Sequence, residues 1–233
     1  FDSVAPATGQ VIAKVAACSE ADVNRAVSAA RAAFERGEWS RVAPADRKSV
    51  LFAFADLIEA NAEELSVVEA IDAGKPVTDC RTIDIPDALN TLRWYAEAAD
   101  KVFGKTSPTG ADALGLIVRE PVGVVGGVLP WNFPLMTLAW KIGPALATGN
   151  SLVIKPAELA PLTTIRLAEL ATEAGIPAGV FNVVPGLGHV AGSAIGLHPD
   201  VDVVTFTGST EVGREFLRYS ADSTLKGIVL ECG

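Results

Sequence analysis

The chain is poor in the residues that build metal sites and disulfide frameworks. Its three cysteines, Cys18, Cys80 and Cys232, lie far apart among 233 residues and form no Cys-x-x-Cys pair. The common zinc-binding spacing and a disulfide-stabilised scaffold are therefore excluded, and no metal site is expected. Because unpatterned cysteines are typical of proteins in reducing compartments, we expect a cytoplasmic protein.

Concentrated positive charge and long apolar runs are also absent. The net charge is −9, and lysines and arginines form no run. We therefore expect neither a nucleic-acid partner nor an anionic membrane surface, since both are bound by concentrated basic surfaces. The apolar run at 122–129 is far shorter than the roughly 20 residues that span a bilayer. The opening Phe1-Asp2-Ser3 lacks the charged and apolar parts of a signal peptide.

What the chain does have is enough apolar material for a substantial core. Hydrophobic residues make up 49% and charged residues 20%, which excludes an intrinsically disordered chain. The length suits one large domain, alone or with an excursion.

The first hundred residues are predicted to be helical. Ser19 and Asp22 form a capping-box signature before an apolar stripe at 23–34. Further helices are predicted at 44–58, 61–73 and 87–101. In the middle one of these, apolar residues recur at helical spacing and should face the core: Leu65, Val68 and Ile71.

The second half of the chain changes character. Residues 104–115 are rich in Gly, Ser, Thr and Pro and predict a loop, and 116–120 predict a strand. Short apolar strands then alternate with amphipathic helices. The strands are predicted at 122–129, 152–154, 180–184, 203–206 and 228–230, and the helices at 135–147, 162–174, 190–197 and 211–219. This alternation is typical of βαβ units, so we predict an α/β fold with a Rossmann-like, doubly wound parallel sheet after an N-terminal helical region.

Four of the predicted strands end in residues that could act on a ligand. They are Pro130-Trp131-Asn132-Phe133-Pro134, Lys155-Pro156-Ala157-Glu158, Thr207-Gly208-Ser209-Thr210-Glu211-Val212-Gly213 and Glu231-Cys232-Gly233. Ligands of such sheets bind beyond the carboxyl ends of the strands, so we expect all four segments along one edge.

Taken singly, each segment also has a purely structural interpretation. Asn132 could cap a helix, Lys155 could be a solvated lysine, and Pro156 could begin a helix. The turn from Gly208 lacks the Gly-x-Gly-x-x-Gly fingerprint. Glu231 is the least ordinary, because a carboxylate at the end of an apolar strand needs solvent or a partner.

In combination and in this order, the motifs resemble the aldehyde dehydrogenase family. The similarity is carried by Val128-Leu129-Pro130-Trp131-Asn132-Phe133-Pro134, Phe206-Thr207-Gly208-Ser209-Thr210, Leu230-Glu231-Cys232-Gly233, Pro6-Ala7-Thr8-Gly9 and Glu120-Pro121-Val122-Gly123. It extends over essentially the whole chain and leans towards aminoaldehyde dehydrogenases, such as those for γ-glutamyl-γ-aminobutyraldehyde. The resemblance implies NAD(P)-dependent oxidation of an aldehyde to a carboxylic acid, through a thiohemiacetal and a thioester on a cysteine.

The resemblance also assigns the two catalytic roles expected in this chain. Asn132 matches the family's oxyanion-hole amide, and Glu231 matches the general base that activates the hydrolytic water, with help in deprotonating the thiol as a further role. The family usually has Leu at the position of Cys232, and its nucleophile lies a few dozen residues beyond Gly233. We therefore expect this chain to supply the amide, the base and the cofactor site, but not the nucleophile.

The cofactor implied by the resemblance is NAD, with NADP as the alternative. Lys155 and Glu158 match the pair at the adenosine ribose, where a carboxylate disfavours a 2′-phosphate and a lysine softens that preference. Gly208 and Ser209 are expected at the pyrophosphate, beside a helix N-terminus. The other cofactor positions implied in the same way are Leu129, Pro130, Trp131, Gly188, Phe206 and Val212.

The family fold further implies how the chain is divided and assembled. Residues 1–102 and 122–233 would form the NAD(P)-binding domain, and 103–121 an excursion that makes an oligomerisation strand. A catalytic domain would follow residue 233. The expected partners are a small-molecule aldehyde and further copies of the chain, in a homodimer or homotetramer.

The substrate is the least determined expectation. Phe133, Met136 and Trp140 match positions that line the family's aldehyde tunnel, with ordinary helix packing as the alternative. Asp84 and Asp87 would share a helix face, and Asp87 matches a position near the tunnel mouth. Two acids there would favour a cationic aldehyde, whereas a solvated acidic face would have no such role.

A module that binds a nucleotide, or only a partner protein, without catalysis is the competing interpretation of the whole chain. The presence of both Asn132 and Glu231 favours the enzyme, because a pure binding module needs neither an oxyanion donor nor a base.

Overall fold

The computed structural model describes all of residues 1–233, and its first half is mainly helical. A short antiparallel hairpin, β1 (Asp2–Val4) and β2 (Val11–Lys14), precedes the helices. The helices are α1 (Glu20–Arg36), α2 (Pro44–Ala60), α3 (Ala62–Ala73), the one-turn α4 (Val77–Asp79), a π-helical turn (Cys80–Asp84), α5 (Ile85–Ala98) and a 3-10 turn (Ala99–Lys101). The predicted capping box is confirmed, because the Ser19 N–H donates to Asp22 Oδ2 over 2.8 Å. The hairpin lies where only helix was expected.

A second hairpin stands apart from the rest of the fold. It pairs β3 (Lys105–Ser107) with β4 (Gly115–Ile117) in antiparallel register. The prediction of a loop throughout 104–115 was wrong at β3, and the predicted strand at 116–120 is shorter and begins one residue earlier. Backbone pairing within the hairpin gives both strands partners that the local composition does not reveal.

Five parallel strands form the central sheet, as the alternating pattern predicted. They are β5 (Val124–Val128), β6 (Ser151–Lys155), β7 (Phe181–Val183), β8 (Val203–Gly208) and β9 (Gly227–Cys232), in the order β7-β6-β5-β8-β9. The connecting helices are α6 (Pro134–Ala147), α7 (Leu162–Glu173), a π-helical turn (Gly188–Gly192) that continues into α8 (Ser193–Leu197), and α9 (Thr210–Ala221). The Rossmann-like, doubly wound α/β class is confirmed.

The order of the strands creates a crevice at one point of the sheet edge. From β5 the chain moves outwards through β6 and β7, and then returns to place β8 on the other side of β5. The loops after β5 and β8 therefore diverge. Ligands of open α/β sheets bind at such a switch point. Across this edge the register pairs Val128 with both Lys155 and Phe206, and Phe206 with Leu230.

Two apolar cores cover the two faces of the sheet. The larger joins α2, α5, α6 and α7 to one face, and the smaller joins α1, α8 and α9 to the other. Gly126 is required in the second core, since a Cβ there would lie 2.4 Å from Ile195 Cγ2 of α8. No helix combines the length and the apolar character needed to cross a membrane.

Helix α3 presents a different face to the core from the one predicted. Leu65 is buried, but Ile71 is 46% exposed. The polar Ser66, Glu69 and Asp72 are each only 1% exposed. The apolar spacing was therefore a poor guide here, because hydrogen bonds to distant helices decide which side of α3 faces inwards.

Candidate functional site

A cleft of about 510 Å³ opens at the switch point of the sheet. Its walls come from the loop after β5, the turn after β8 and the end of β9: Pro130, Trp131, Asn132, Thr207, Gly208, Ser209, Thr210, Glu231, Cys232 and Gly233. Both residues predicted to be catalytic, Asn132 and Glu231, line this single cleft. Three of the four strand-end segments are thus brought together.

Asn132 is available for a ligand. It is exposed, and its carboxamide makes no hydrogen bond within the chain. The interpretation of Asn132 as a helix cap is wrong, because Phe133 occupies the cap position of α6 and Pro134 begins the helix. The amide N–H groups of Asn132 can therefore donate to an oxygen atom in the cleft.

Glu231 lies opposite, on the edge strand β9. It is exposed and pairs in register with Thr207 of β8. Solvent reaches the carboxylate, which removes the cost of placing it at the end of an apolar strand. A carboxylate beside a cleft can accept a proton from water held there.

Lys141 stands behind the cleft and was missed by the sequence analysis. Although it is buried, its Nζ donates to Thr207 Oγ1 over 2.7 Å and to Thr205 Oγ1 over 3.2 Å. Burial lowers the pKa of Lys141 to about 8, and the charge of Glu231 opposes part of this shift. The sequence does contain a signal that could have drawn attention to Lys141, because this lysine interrupts the apolar stripe of α6 beside Ile142.

Lys155 and Glu158 form an ion pair at the end of β6, outside the cleft just described. Lys155 Nζ lies 2.5 Å from Glu158 Oε2, and the lysine is only 2% exposed. Burial raises the pKa of Glu158, but the hydrogen bond and charge of Lys155 and two backbone hydrogen bonds, from Glu158 and Gly188, together outweigh it, and the net shift is downwards. The interpretation of Lys155 as a solvated lysine is wrong, as is Pro156 as a helix start, since α7 begins at Leu162.

The turn after β8 has the geometry of an anion site at a helix N-terminus. Ser209 caps α9 by accepting a hydrogen bond from the Val212 N–H over 3.3 Å. The first N–H groups of a helix have no partners within it, so those at the start of α9 can bind an anion beside this turn. Gly208 keeps the turn close to Phe206, whose ring atom Cζ would lie 2.6 Å from an added Cβ.

The remaining cofactor candidates differ in their access to the cleft. Phe206 is 3% exposed and stacks on Phe216 with ring centroids 5.0 Å apart, so its side chain supports the turn from the core. Leu129 is also buried, and its N–H donates to the Lys155 carbonyl over 3.1 Å. Gly188 is exposed, and an added Cβ would meet nothing within 4 Å.

Trp140, one of the residues matched to the aldehyde tunnel, lies beside α5. Trp140 is 46% exposed, and its Nε1 donates to Asp87 Oδ2 over 2.9 Å. A neighbouring cavity of about 330 Å³ is lined by Asn90, Thr91, Trp94, Tyr95 and Trp140. The expectation of two available acids was wrong, because Asp84 is 1% exposed and pairs with Lys75.

None of the cysteines has the features of a nucleophile. Burial raises the pKa of Cys80 to about 11 and also raises the pKa of Cys18. Cys232 is half-buried, with its Sγ packed close to Gly213 of α9. A thiol acts as a nucleophile through its thiolate, which a raised pKa disfavours.

Comparison with known proteins agrees with this geometry. The model of the aldehyde dehydrogenase family matches residues 1–233. An aminoacetaldehyde dehydrogenase of Pseudomonas aeruginosa is 58% identical over 233 residues, which are 100% of this chain and 47% of that protein.

Two crystal structures superpose over 100% of this chain and 47% of theirs. They are a γ-glutamyl-γ-aminobutyraldehyde dehydrogenase from Burkholderia cenocepacia, at 55% identity and a TM-score of 0.98, and an indole-3-acetaldehyde dehydrogenase in complex with NAD⁺, at 54% and 0.99. The chain thus spans about half the length of these relatives. A match over every residue shows that the chain belongs to the aldehyde dehydrogenase family.

Proposed function

We propose that this chain is the cofactor-binding part of an enzyme that oxidises an aldehyde to a carboxylic acid with NAD(P). The observation that carries the proposal is the shared cleft at the switch point, which holds the Asn132 carboxamide and the Glu231 carboxylate together. An amide donor and a carboxylate at one cleft suit acyl chemistry, in which an oxyanion forms and water must later be activated.

The residues of the cleft and of the neighbouring strand ends fit a dinucleotide. The α9 N-terminus offers N–H groups for a pyrophosphate, and the open backbone at Gly188 leaves room for a ligand. The Glu158 carboxylate can accept hydrogen bonds from ribose hydroxyls while Lys155 holds it in place. When bound, NAD⁺ supplies the hydride acceptor of the reaction. We propose NAD as the preferred form, because the ion pair leaves no free cation for a 2′-phosphate.

Each catalytic residue would act at a different stage. Asn132 donates a hydrogen bond to the aldehyde oxygen as that oxygen gains negative charge. Removal of a comparable donor raises the activation free energy by about 3–4 kcal/mol. Glu231 takes a proton from the water that releases the acid. The nucleophilic cysteine is proposed to lie in a part of the enzyme outside this chain, which spans 47% of these matched relatives.

We further propose an aminoaldehyde as the substrate. Asp87 is the acid near the proposed tunnel mouth, and Trp140 holds its carboxylate. Trp94 and Tyr95 line the adjacent cavity, and aromatic rings attract cations to their faces. A carboxylate and aromatic rings together favour a cationic substrate over a neutral one. Two of the relatives support this class by name, one being an aminoacetaldehyde dehydrogenase and the other a γ-glutamyl-γ-aminobutyraldehyde dehydrogenase.

The hairpin of β3 and β4 is proposed to join copies of the chain in a homodimer or homotetramer. It belongs to the segment 103–121, and the cofactor domain comprises 1–102 and 122–233. Its apolar side chains have no cover within the chain: Phe103, Leu114, Leu116, Ile117 and Val118 are each more than half exposed. Exposed apolar patches of this kind mark interaction surfaces. The three free cysteines suit the reducing cytoplasm that we propose as the location.

The proposal is tested with the full-length protein and a panel of aldehydes. We expect NADH formation, followed at 340 nm, with amino-substituted aldehydes as the best substrates. Binding of NAD⁺ without NADH formation from any aldehyde would instead support the non-catalytic module.

A further inference from the structure

The orientation of the Asn132 side chain depends on the backbone that follows it. Its carboxamide has no hydrogen bond within the chain, so no neighbouring side chain holds it. Two of the next three residues, by contrast, have partners elsewhere in the chain. Phe133 and Leu135 are each contacted by groups from α3 and the segment just after it.

Glu69 of α3 binds the first free N–H of α6. Pro134 begins that helix and has no N–H, so the Leu135 N–H is the first one that needs a partner. Glu69 Oε1 accepts it over 3.2 Å, and Glu69 Oε2 accepts the hydroxyl of Thr163 in α7 over 2.7 Å. Both oxygens of this buried carboxylate are thus used to hold two other helices.

Lys75 contacts Phe133, the residue at the cap position of the same turn. Its Nζ lies 3.9 Å from the centroid of the Phe133 ring and is paired with the buried Asp84. A cation over an aromatic face is attractive, and more so where water is excluded. The Phe133 ring, directly after Asn132, is therefore held by the Lys75 ammonium, which is itself held by Asp84.

We propose that Glu69 is a positioning residue for the Asn132 amide, acting through the first turn of α6 together with the Lys75–Asp84 pair. This inference rests on the proposed function of Asn132 as the oxyanion donor. A donor must lie within a few tenths of an ångström of its place to stabilise the developing charge. Because the turn is capped by a side chain from another helix, its position depends on α3 and not on the local sequence alone.

Glu69→Ala and Glu69→Gln in the full-length enzyme separate this role from a general contribution to folding. Alanine removes the acceptor of the Leu135 N–H, so we expect kcat to fall about 30-fold or more, with the NAD⁺ affinity and the aldehyde KM within about threefold of wild type. Glutamine can accept from Leu135 with its oxygen and donate to Thr163, so kcat should remain within about threefold.

Asp72→Asn is the matched control. Asp72 lies on the same helix and is equally buried, but its carboxylate accepts the Leu162 N–H of α7 over 2.8 Å and the Ser3 hydroxyl over 2.7 Å, and it makes no hydrogen bond to α6. We expect this variant to lose a comparable amount of thermal stability while keeping kcat within about twofold. An equal loss of kcat in Asp72→Asn would overturn the proposal.

A double-mutant cycle shows whether Glu69 acts through Asn132. In an Asn132→Ala background the amide is absent, so Glu69→Ala should lower kcat by less than about threefold further. The same loss of about 30-fold in both backgrounds, or no loss in either, contradicts the inference. If Glu69→Ala does not fold, Glu69→Asp carries the same cycle, because it withdraws the oxygens by one methylene and keeps the charge. Absence of NADH formation by the wild type would reject the proposed function itself.

Discussion

At the scale of single residues, the site is built from side chains whose surroundings differ sharply. Asn132 and Glu231 are exposed at the cleft, whereas the buried Lys141 approaches it from the interior and the buried Lys155 lies at the neighbouring end of β6. The exposed pair could be inferred from the sequence motifs and the strand ends. The burial of Lys141 could not, because it depends on the packing of α6 against β8.

The choice between NAD and NADP is predicted to depend on Glu158. Glu158→Gln removes the negative charge and frees Lys155, so a 2′-phosphate would meet a cation in place of an anion. We expect the ratio of kcat/KM for NADP⁺ to that for NAD⁺ to rise about tenfold or more. Glu173→Gln, an exposed change at the end of α7, should leave the ratio unchanged. An unaltered ratio in Glu158→Gln would show that this carboxylate does not select the cofactor.

Selectivity for cationic aldehydes is predicted to depend on Asp87. Asp87→Ala removes the charge beside Trp140, so KM should rise about tenfold for aminoaldehydes and less than twofold for neutral aldehydes of similar length. The control is Glu97→Gln, an exposed change on the same helix that should affect neither KM. A similar rise for both classes of aldehyde would reject electrostatic selection.

Glu69 also predicts how stability depends on pH. Burial raises the pKa of Glu69 to about 7; the hydrogen bonds from Thr163 and Leu135 and the charge of Lys75 oppose this, and the charge of Asp84 adds to it. The folded state thus binds a proton that the unfolded state has released above its ordinary pKa near 4.5. The stability that this proton contributes is fully present below about pH 4.5 and is lost as the pH rises through about 7.

The unfolding free energy of the neutral Glu69→Gln variant should therefore rise relative to that of the wild type as the pH rises. We expect the difference in unfolding free energy to change by about 2 kcal/mol between pH 5 and pH 8, measured from urea unfolding midpoints. A constant difference across this range would mean that Glu69 titrates as an ordinary carboxylate.

At the scale of elements, the sequence predicted the parallel sheet well, but it predicted the β1–β2 hairpin and the buried face of α3 poorly. Each of the five strands was found within two residues of its predicted bounds, because buried strands and amphipathic helices have distinct apolar periods. The hairpin of β1 and β2 was missed, since its strands are short and mostly exposed. The buried face of α3 was assigned wrongly because Glu69 and Asp72 bind helices that lie 66 and 90 residues further along the chain.

The hairpin of β3 and β4 is predicted to be the element that holds the assembly together. Leu116→Lys places a charge on its apolar surface, so association should weaken by about tenfold or more. Light scattering after size exclusion should show a dimer or tetramer for wild type and smaller species for the variant. Val67→Lys, at an exposed apolar position on α3, serves as the control and should not change the mass. An unchanged mass for Leu116→Lys would reject the assigned role of the hairpin.

At the scale of the whole molecule, the fold brings residues from distant parts of the chain to one edge of a sheet. The crevice exists because the strand order reverses beside β5, and this topology follows from the βαβ pattern. The hydrogen bond by which Glu69 of α3 supports that edge does not follow from the βαβ pattern. In the proposed function, Asn132 and Glu231 act on the same substrate at successive stages of one reaction.

The most direct test is the pre-steady-state formation of NADH by the full-length enzyme. With Glu231→Gln, we expect a rapid burst of about one NADH per active site and then steady turnover slowed by about 100-fold or more, because only the release of the acid needs the base. With Asn132→Ala, the burst itself should slow by about 100-fold, since the donor acts before hydride transfer. Steady turnover at the wild-type rate in Glu231→Gln, or an unchanged burst in Asn132→Ala, would contradict the account.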